Sequence, residues 1–388
     1  LASRTLDPDG STPGGGSDRA PEIRVEAGAW RDMAGPSTIT QWDALAQWAS
    51  CPNPFFESWY LLPALEAFDP QGKVRMLRFD ADGTLAGLLP LLRSPRYYRH
   101  PFPQWAGWMH GNCFLGAPLV ARGLEKPFWR AFMDWADNHA EGALFLHLPK
   151  LPLEGPLHDA LRAILEEQRR PAALVHREER AFLSSPLSPA AYLDSTLSPK
   201  KRKELRRQHN RLSELGDLDF VRQGDAETIA EWIEAFLELE ASGWKGKSGH
   251  ALANDPRTAR LFAAALRGAA DRGRLERLTL SLNGQPVAML ANFITPPGAF
   301  SYKTTFDEEY SRFSPGVLLQ RENLALLEHE DISWCDSCAS ADHPMIDHFW
   351  RERRAIGRIS IGIGGPLRRT VFRLITRIET RNSSGEIA

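Results

Sequence analysis

The sequence predicts a mixed α/β fold made of two halves of similar plan. Three observations carry this. Short apolar runs with alternating polarity, typical of half-buried strands, interleave with segments whose apolar residues recur at helical spacing. The order of hairpin, strand and helix between residues 74 and 176 returns in the same outline from residue 278 onward, which suggests mixed sheets in tandem. A length of 388 residues also suits two or three ordinary domains. No residue-level repeat joins the halves.

Composition narrows the class. The apolar and charged fractions, 43% and 25%, are those of a globular protein in water. A net charge of −2 gives nucleic acid no global attraction. Four cysteines, Cys51, Cys113, Cys335 and Cys338, argue for a reducing compartment and against a disulfide scaffold. No apolar run is long enough to span a bilayer, and no secretory segment opens the chain. The first residue is Leu1 rather than Met, which suggests a processed or partial chain. The expected location is cytoplasmic, with peripheral attachment to the inner membrane as a variant of it.

Taken in order, residues 1–36 are rich in Gly, Ser, Pro and Asp and read as a disordered tail. The first half, 37–186, opens with helices at 40–49 and 58–68. A hairpin follows, 74–79 and 85–92 around Asp82-Gly83. Helix 128–139, strand 143–148, helix 157–168 and a strand from 172 complete it. Residues 187–217 form a basic helical linker, in which Ser188-Pro189 and Ser198-Pro199 each start a helix. The second helix carries Lys200, Lys201, Arg202, Lys203, Arg206, Arg207 and Arg211. It is a solvated face between domains, an attractor of phosphates, or a nucleic-acid contact. The lack of interleaved aromatic residues disfavours the last.

The second half, 218–363, has helices at 230–241 and 255–270 and a centre at 278–327. Strand 278–282 turns at Asn283-Gly284 into strand 287–294. In a third strand Phe300, Tyr302, Thr304 and Phe306 alternate with Ser301, Lys303 and Thr305. The chain then enters a helix through Arg312-Phe313-Ser314-Pro315-Gly316-Val317-Leu318. Ser314 suits an N-cap and Pro315 the first helical position. A helix start leaves main-chain N–H groups unpaired, Gly316 permits close approach, and Arg312 adds a full charge. The turn is therefore a candidate phosphate site, an ordinary helix start being the alternative. Strand 332–335, helix 345–354 and a closing strand at 359–363 follow.

The tracts YKTTFDEEYSRFSPGVLLQ (302–320) and ELEASGWKGKSG (238–249) resemble the CelD-like, FemAB-related branch of the GNAT acyltransferases. The likeness extends over roughly 197–362. It implies tandem GNAT-like domains and transfer of an acyl group from acyl-CoA to an amine, with no permanently bound cofactor and no metal. It places the coenzyme on Arg312, Ser314, Gly316, Val317 and Leu318. The usual glycine-rich signature is here Ser314-Pro315-Gly316. Trp244 and Lys245 would wall the acceptor cleft.

Such a transfer needs a grip on the donor phosphates, N–H donors at the thioester carbonyl, a base for the amine and a proton for the leaving thiolate. The edge of strand 287–294 is the candidate source of N–H donors. His343 is the candidate base, with Asp342 or Asp336 to orient it, or Asp336 acting through water. The alternative is that Asp342-His343-Pro344 merely caps a helix. Tyr302 and Lys303 would contact the acceptor or polarise the thioester, or simply pack. Cys335-x-x-Cys338 lacks the four ligands of a structural zinc site and reads as packing.

Residues 364–388 read as a cationic amphipathic helix and tail. Leu367, Val371, Leu374, Ile375 and Ile378 share one face, and Arg368, Arg369, Arg373, Arg377 and Arg381 lie towards the other. A second aromatic and basic tract runs from Arg93 to Met109. Together they suggest an anionic membrane surface and an amphipathic amine acceptor, such as the sphingoid base of bacterial ceramide synthesis. Docking of the helix on its own domain is the alternative. Rival readings are acetylation of an exopolysaccharide or amino sugar, aminoacyl-tRNA-dependent ligation, and a non-catalytic membrane-associated scaffold.

Overall fold

The structure, a computed structural model, describes residues 21–341, 343 and 345–382. Among these, the strands join into one 13-stranded sheet. The first half supplies β1 (Ile23–Ala29), β2 (Arg75–Ala81), β3 (Thr84–Ser94), β4 (Gln104–Gly107), β5 (Leu119–Val120), β6 (Phe145–Pro152) and β7 (Ala172–Leu183). Later in the chain come β8 (Leu218–Gln223), β9 (Leu275–Leu282), β10 (Gln285–Thr295), β11 (Gly298–Phe306), β12 (Trp334–Asp336) and β13 (Glu352–Gly362). Their order across the sheet is β1-β2-β3-β4-β6-β13-β7-β12-β11-β10-β9-β8, with β5 on β3.

The helices are α1 (Pro36–Gln47), α2 (Ser58–Phe68), α3 (Glu125–Asn138), α4 (Pro156–Glu167), α5 (Pro189–Thr196) and α6 (Pro199–Ser213). They continue with α7 (Ile229–Ser242), the short α8 (Trp244–Lys247), α9 (Pro256–Ala270), α10 (Pro315–Asn323) and α11 (Pro366–Asn382). No helix among the described residues is long and apolar enough to cross a membrane.

Local chemistry explains most of these elements. Ser188 and Ser198 cap α5 and α6, their Oγ atoms accepting the N–H groups of Ala191 and Lys201 at 3.3 Å. Asn283 and Gly284 both take positive φ, as a tight hairpin turn requires. Three expectations are corrected. The tail predicted for 1–36 gives way to β1, an edge strand paired with β2 from Ile23↔Ala81 to Ala29↔Arg75, and to buried Trp30 and Met33; residues 1–20 lie outside the described residues. The helix predicted for 345–354 is a run of turns that passes into β13. The strand predicted to close the second half instead lies in the first, between β6 and β7.

That crossing makes the halves inseparable. β12 meets β7 through Cys335↔Leu183 and Asp336↔Phe182. At this seam the fully buried Asp336 accepts hydrogen bonds from Arg180 at 2.6 Å and from Arg354 at 2.9 Å. One apolar core runs through both halves, from Phe55 and Tyr60 of the first to Phe293, Phe300 and Tyr302 of the second.

Candidate active site

Each half contains one parallel strand pair. In the second half β11 and β12 pair from Gly298↔Trp334 to Phe300↔Asp336 and then part. β11 continues to Phe306 on β10 alone, so the main-chain groups on its other side are left facing a cleft. A cavity of about 810 Å³ fills this opening. Its walls are β11 from Ser301 to Phe306, the Ser337–Ser340 turn after β12, His343, Met345, the start of α8, and Ser314, Gly316 and Val317 at the entry to α10.

The expected N–H donors on strand 287–294 are corrected by this topology. That strand is β10, paired on both sides by β9 and β11, and it has no free edge along this stretch. The free main-chain side at this opening belongs to β11 instead.

His343 lines the cavity. Burial, and next the charge of Lys245, hold its pKa below the usual histidine value, against a smaller opposing pull from Asp347. The ring is therefore neutral near pH 7, and its buried Nδ1 has no hydrogen-bond partner among the described residues. Asp342 lies outside the described residues. Asp336 does not serve His343. Its carboxylate is committed to Arg180 and Arg354, and these two cations and the Cys338 N–H hold its pKa low despite burial. It is a structural ion at the seam.

Lys303 projects from β11 into the cavity. Its Nζ donates to Asn112 Oδ1 at 2.8 Å and lies over the rings of Phe114 and Tyr302, at 5.3 and 5.7 Å. Burial first, and Lys245 second, bring its pKa down to about 8. Tyr302 is buried among aromatic rings, with its hydroxyl 3.3 Å from that of Tyr60. Lys245 is not a free cation: it pairs with the buried carboxylate of Glu240 at 2.8 Å and donates to Thr304 O at 3.3 Å. Trp244 is 56% exposed at the cavity wall, its N–H donating to Glu308 Oε1.

The helix entry differs from expectation in detail. Ser314 sits at the N-cap position in the left-handed region, φ 52°, and its side chain makes no cap; its Oγ accepts from Gln208 of α6 at 3.1 Å. The N–H groups of Val317 and Leu318 both donate to Ser314 O, at 2.9 and 3.0 Å. Leu318 is buried in the core, and Arg312 is exposed over the Phe313 ring, outside the cavity lining. Gly316 is needed for space, since a Cβ there would lie 2.8 Å from Met345 Sδ. α6 lies against this entry and leaves Lys200, Lys201, Lys203, Arg206 and Arg211 exposed.

Cys338 also lines the cavity, and burial pushes its thiol pKa up, away from a nucleophilic thiolate. Sequence reasoning missed two contributors, Asn112 and Phe114. Both sit in a loop of the first half, and no local pattern announces that the fold carries them to β11.

Residues 199–344 match the family model described as Acetyltransferase (GNAT) domain. This stretch of the chain is similar to a GNAT acetyltransferase domain. The match supports acyl-CoA-dependent N-acyl transfer, and the cavity described above lies largely within its bounds. The fold is similar to that of FemX, at 12% identity over 87% of this chain and 98% of that one, with a TM-score of 0.56. A protein of unknown function from Bacteroides thetaiotaomicron is similar at 14% identity over 84% and 97%, with a TM-score of 0.56. So is the C-terminal domain of a protein named as a lysylphosphatidylglycerol synthetase from Agrobacterium fabrum, at 11% identity over 87% and 95%, with a TM-score of 0.51. No curated protein sequence matches this chain.

Proposed function

We propose that the protein transfers an acyl group from acyl-CoA to the nitrogen of an amphipathic amine, a sphingoid long-chain base being the leading candidate. The observation that carries the reading is the opened β11–β12 edge holding a neutral imidazole and a lysine of lowered pKa in one cavity.

In this reading the thioester lies along β11, whose free N–H groups polarise its carbonyl. His343 takes the proton of the attacking amine. As the tetrahedral intermediate collapses, the C–S bond breaks and Lys303 gives its proton to the departing thiolate. A pKa of about 8 suits that task, being close to that of a thiol. The exposed cations of α6 draw the coenzyme phosphates to the mouth. Phe114, Trp244, Phe306, Val317, Met345 and Ile346 give the walls an apolar character suited to hydrocarbon.

The amphipathic acceptor is supported by a surface far apart in sequence and joined in space. Phe372 and Ile375 of α11 dock against Phe145 and Tyr97, and the Tyr97 hydroxyl donates to Glu379 at 2.6 Å. Ile375 is thus a docking residue rather than part of a free apolar face, while the side chains of Ile378 and Arg381 lie outside the described residues. Leu367, Val371 and Leu374 remain 86%, 41% and 55% exposed, beside the arginines Arg373 and Arg377 and near exposed Tyr98. Such a face suits an anionic bilayer surface.

Incubation with acyl-CoA of graded chain length and either sphinganine or glucosamine, read by mass spectrometry, tests the reading. Long-chain amide of sphinganine is expected. Acetylated glucosamine alone would overturn the lipid acceptor, and absence of any amide would overturn the transfer. A second reading, aminoacyl-tRNA-dependent ligation, is favoured by the exposed α6 cations at the mouth. A gel-shift with tRNA that is lost when Lys200, Lys201 and Lys203 are changed to Gln would support it instead.

A further inference from the structure

The first half holds a second cavity, of about 280 Å³, beside its own parallel strands β4 and β6. Tyr98, Gln104, His110, His147, Lys150 and Arg358 line it, and its lining has no Asp or Glu among the described residues. Its two cations come from a single irregularity of the sheet. Gly357 pairs with Leu151 and Ile359 with Leu148, so Pro149 and Lys150 together oppose Arg358. A bulge of this kind re-aims a side chain. Lys150 accordingly sits at φ 48°, a left-handed conformation uncommon for a lysine and held only by its surroundings. Those surroundings are tight: the Gly116 N–H donates to Lys150 O at 2.9 Å, and a Cβ on Gly116 would fall 2.0 Å from Pro149 O.

Burial lowers the pKa of Lys150, against smaller opposing pulls that include the Glu178 carboxylate. The bonds that Lys150 and Arg358 make go to neutral groups, Cys113 O at 3.2 Å and the Tyr98 hydroxyl at 2.9 Å. The neighbouring imidazoles are neutral as well. Burial, then Arg358, lowers the His147 pKa to about 4, and burial, then Lys303 and Lys150, lowers that of His110 to about 3. His110 Nδ1 accepts the Asn112 N–H at 3.3 Å, so Nε2 carries the proton. That Nε2 and the Oε1 of Gln104, a residue only 6% exposed, are buried without partners among the described residues.

We propose that this cavity is a second ligand site, which takes a phosphate group between Lys150 and Arg358. A phosphate offers several acceptor oxygens in a tetrahedral array, which matches an ammonium, a guanidinium and an imidazole N–H arriving from different strands and loops. A hydroxyl or amide N–H on the ligand would satisfy Gln104. The site shares Tyr97 with the docking face of α11, so the phosphate belongs either to a phospholipid headgroup or to a soluble phosphomonoester.

The test needs no turnover and so stands apart from the proposed acyl transfer. Inorganic phosphate and glycerol phosphate are titrated calorimetrically into the full chain. In parallel the chain is sedimented with phosphatidylcholine vesicles with and without phosphatidylglycerol. Wild-type protein is expected to bind at least one phosphate probe saturably, and Lys150→Met and Arg358→Gln each to weaken that binding about tenfold, the size of one charge-assisted hydrogen bond. Thermal unfolding confirms that the variants fold, and Arg358→Gln carries the test should Lys150→Met fail to. Dependence on these residues in the vesicle arm assigns the phosphate to lipid, and in the soluble arm alone to a metabolite; both support the site. No saturable binding by the wild type, or binding unchanged in a folded variant, overturns it.

Discussion

The two halves solve the same geometric problem in opposite ways. Each has one parallel strand pair that stays together for three residue pairs and then diverges, β4 with β6 and β11 with β12. In the second half the divergence stays open and becomes the cavity proposed for acyl transfer. In the first half the chain after β4 folds back into the gap. Gly116 bonds to Lys150 of β6, and Asn53 Nδ2 ties the loop down at Leu115 O and Ala117 O, 3.2 and 2.7 Å away. The filling loop then reaches across the molecule: Asn112 holds Lys303, Phe114 walls the cavity, and Phe114 O accepts from Arg180 at 2.7 Å. The first half keeps only the small cavity beside β4 and β6 and supplies a wall for the larger one.

This contrast can be broken at three points. The largest effect is expected from His343→Ala, which removes the proposed base from the open cleft. Transfer should fall by about a hundredfold or more with the melting temperature little changed, and steady-state kinetics alongside thermal unfolding measures both. A fall in rate matched by loss of fold would make His343 structural.

Next comes Gly116→Val, which forces the plug out of the closed gap. The clash with Pro149 O should cost about 1–3 kcal/mol of stability, seen in urea unfolding. Activity should drop with it, because Asn112 and Phe114 ride on the same loop. Unchanged kinetics in a folded variant would mean that the plug and the cleft are independent.

The smallest and most diagnostic effect concerns pH. The rate should rise as His343 loses its proton, below the usual histidine range, and fall near pH 8 as Lys303 loses its own. Lys303→Arg should lower the rate and abolish the alkaline fall, since a guanidinium stays charged and gives up no proton. Asn112→Leu removes an acceptor that favours the charged amine, so the alkaline limb should move to lower pH and the rate drop about tenfold. A profile indifferent to both changes would take Lys303 out of the proton transfer.

The sequence made local features legible and long-range ones invisible. The Asn283-Gly284 turn, the capping serines and the limits of α2 each follow from a few adjacent residues. β1 was hidden because an edge strand buries little and its sequence adjoins a Gly- and Ser-rich tract. Residues 345–354 carry apolar spacing that suits a helix, yet Ile346, Phe349 and Trp350 are buried from successive turns. In the site, His343, Lys303, Tyr302 and Trp244 could be read from the tracts around them. Asp336 could not be judged, because its two arginines lie 156 and 18 residues away. Nor could Asn112, which is 191 residues from Lys303.

The placement of β13 governs how the polypeptide reaches its native state. A slot between β6 and β7 waits for a segment synthesised long after both, so the amino-terminal portion cannot finish folding until β13 has emerged. Nascent β6 and β7 must keep their facing edges unpaired until that late arrival zips them together. Neither portion expressed by itself should therefore yield an independently stable unit.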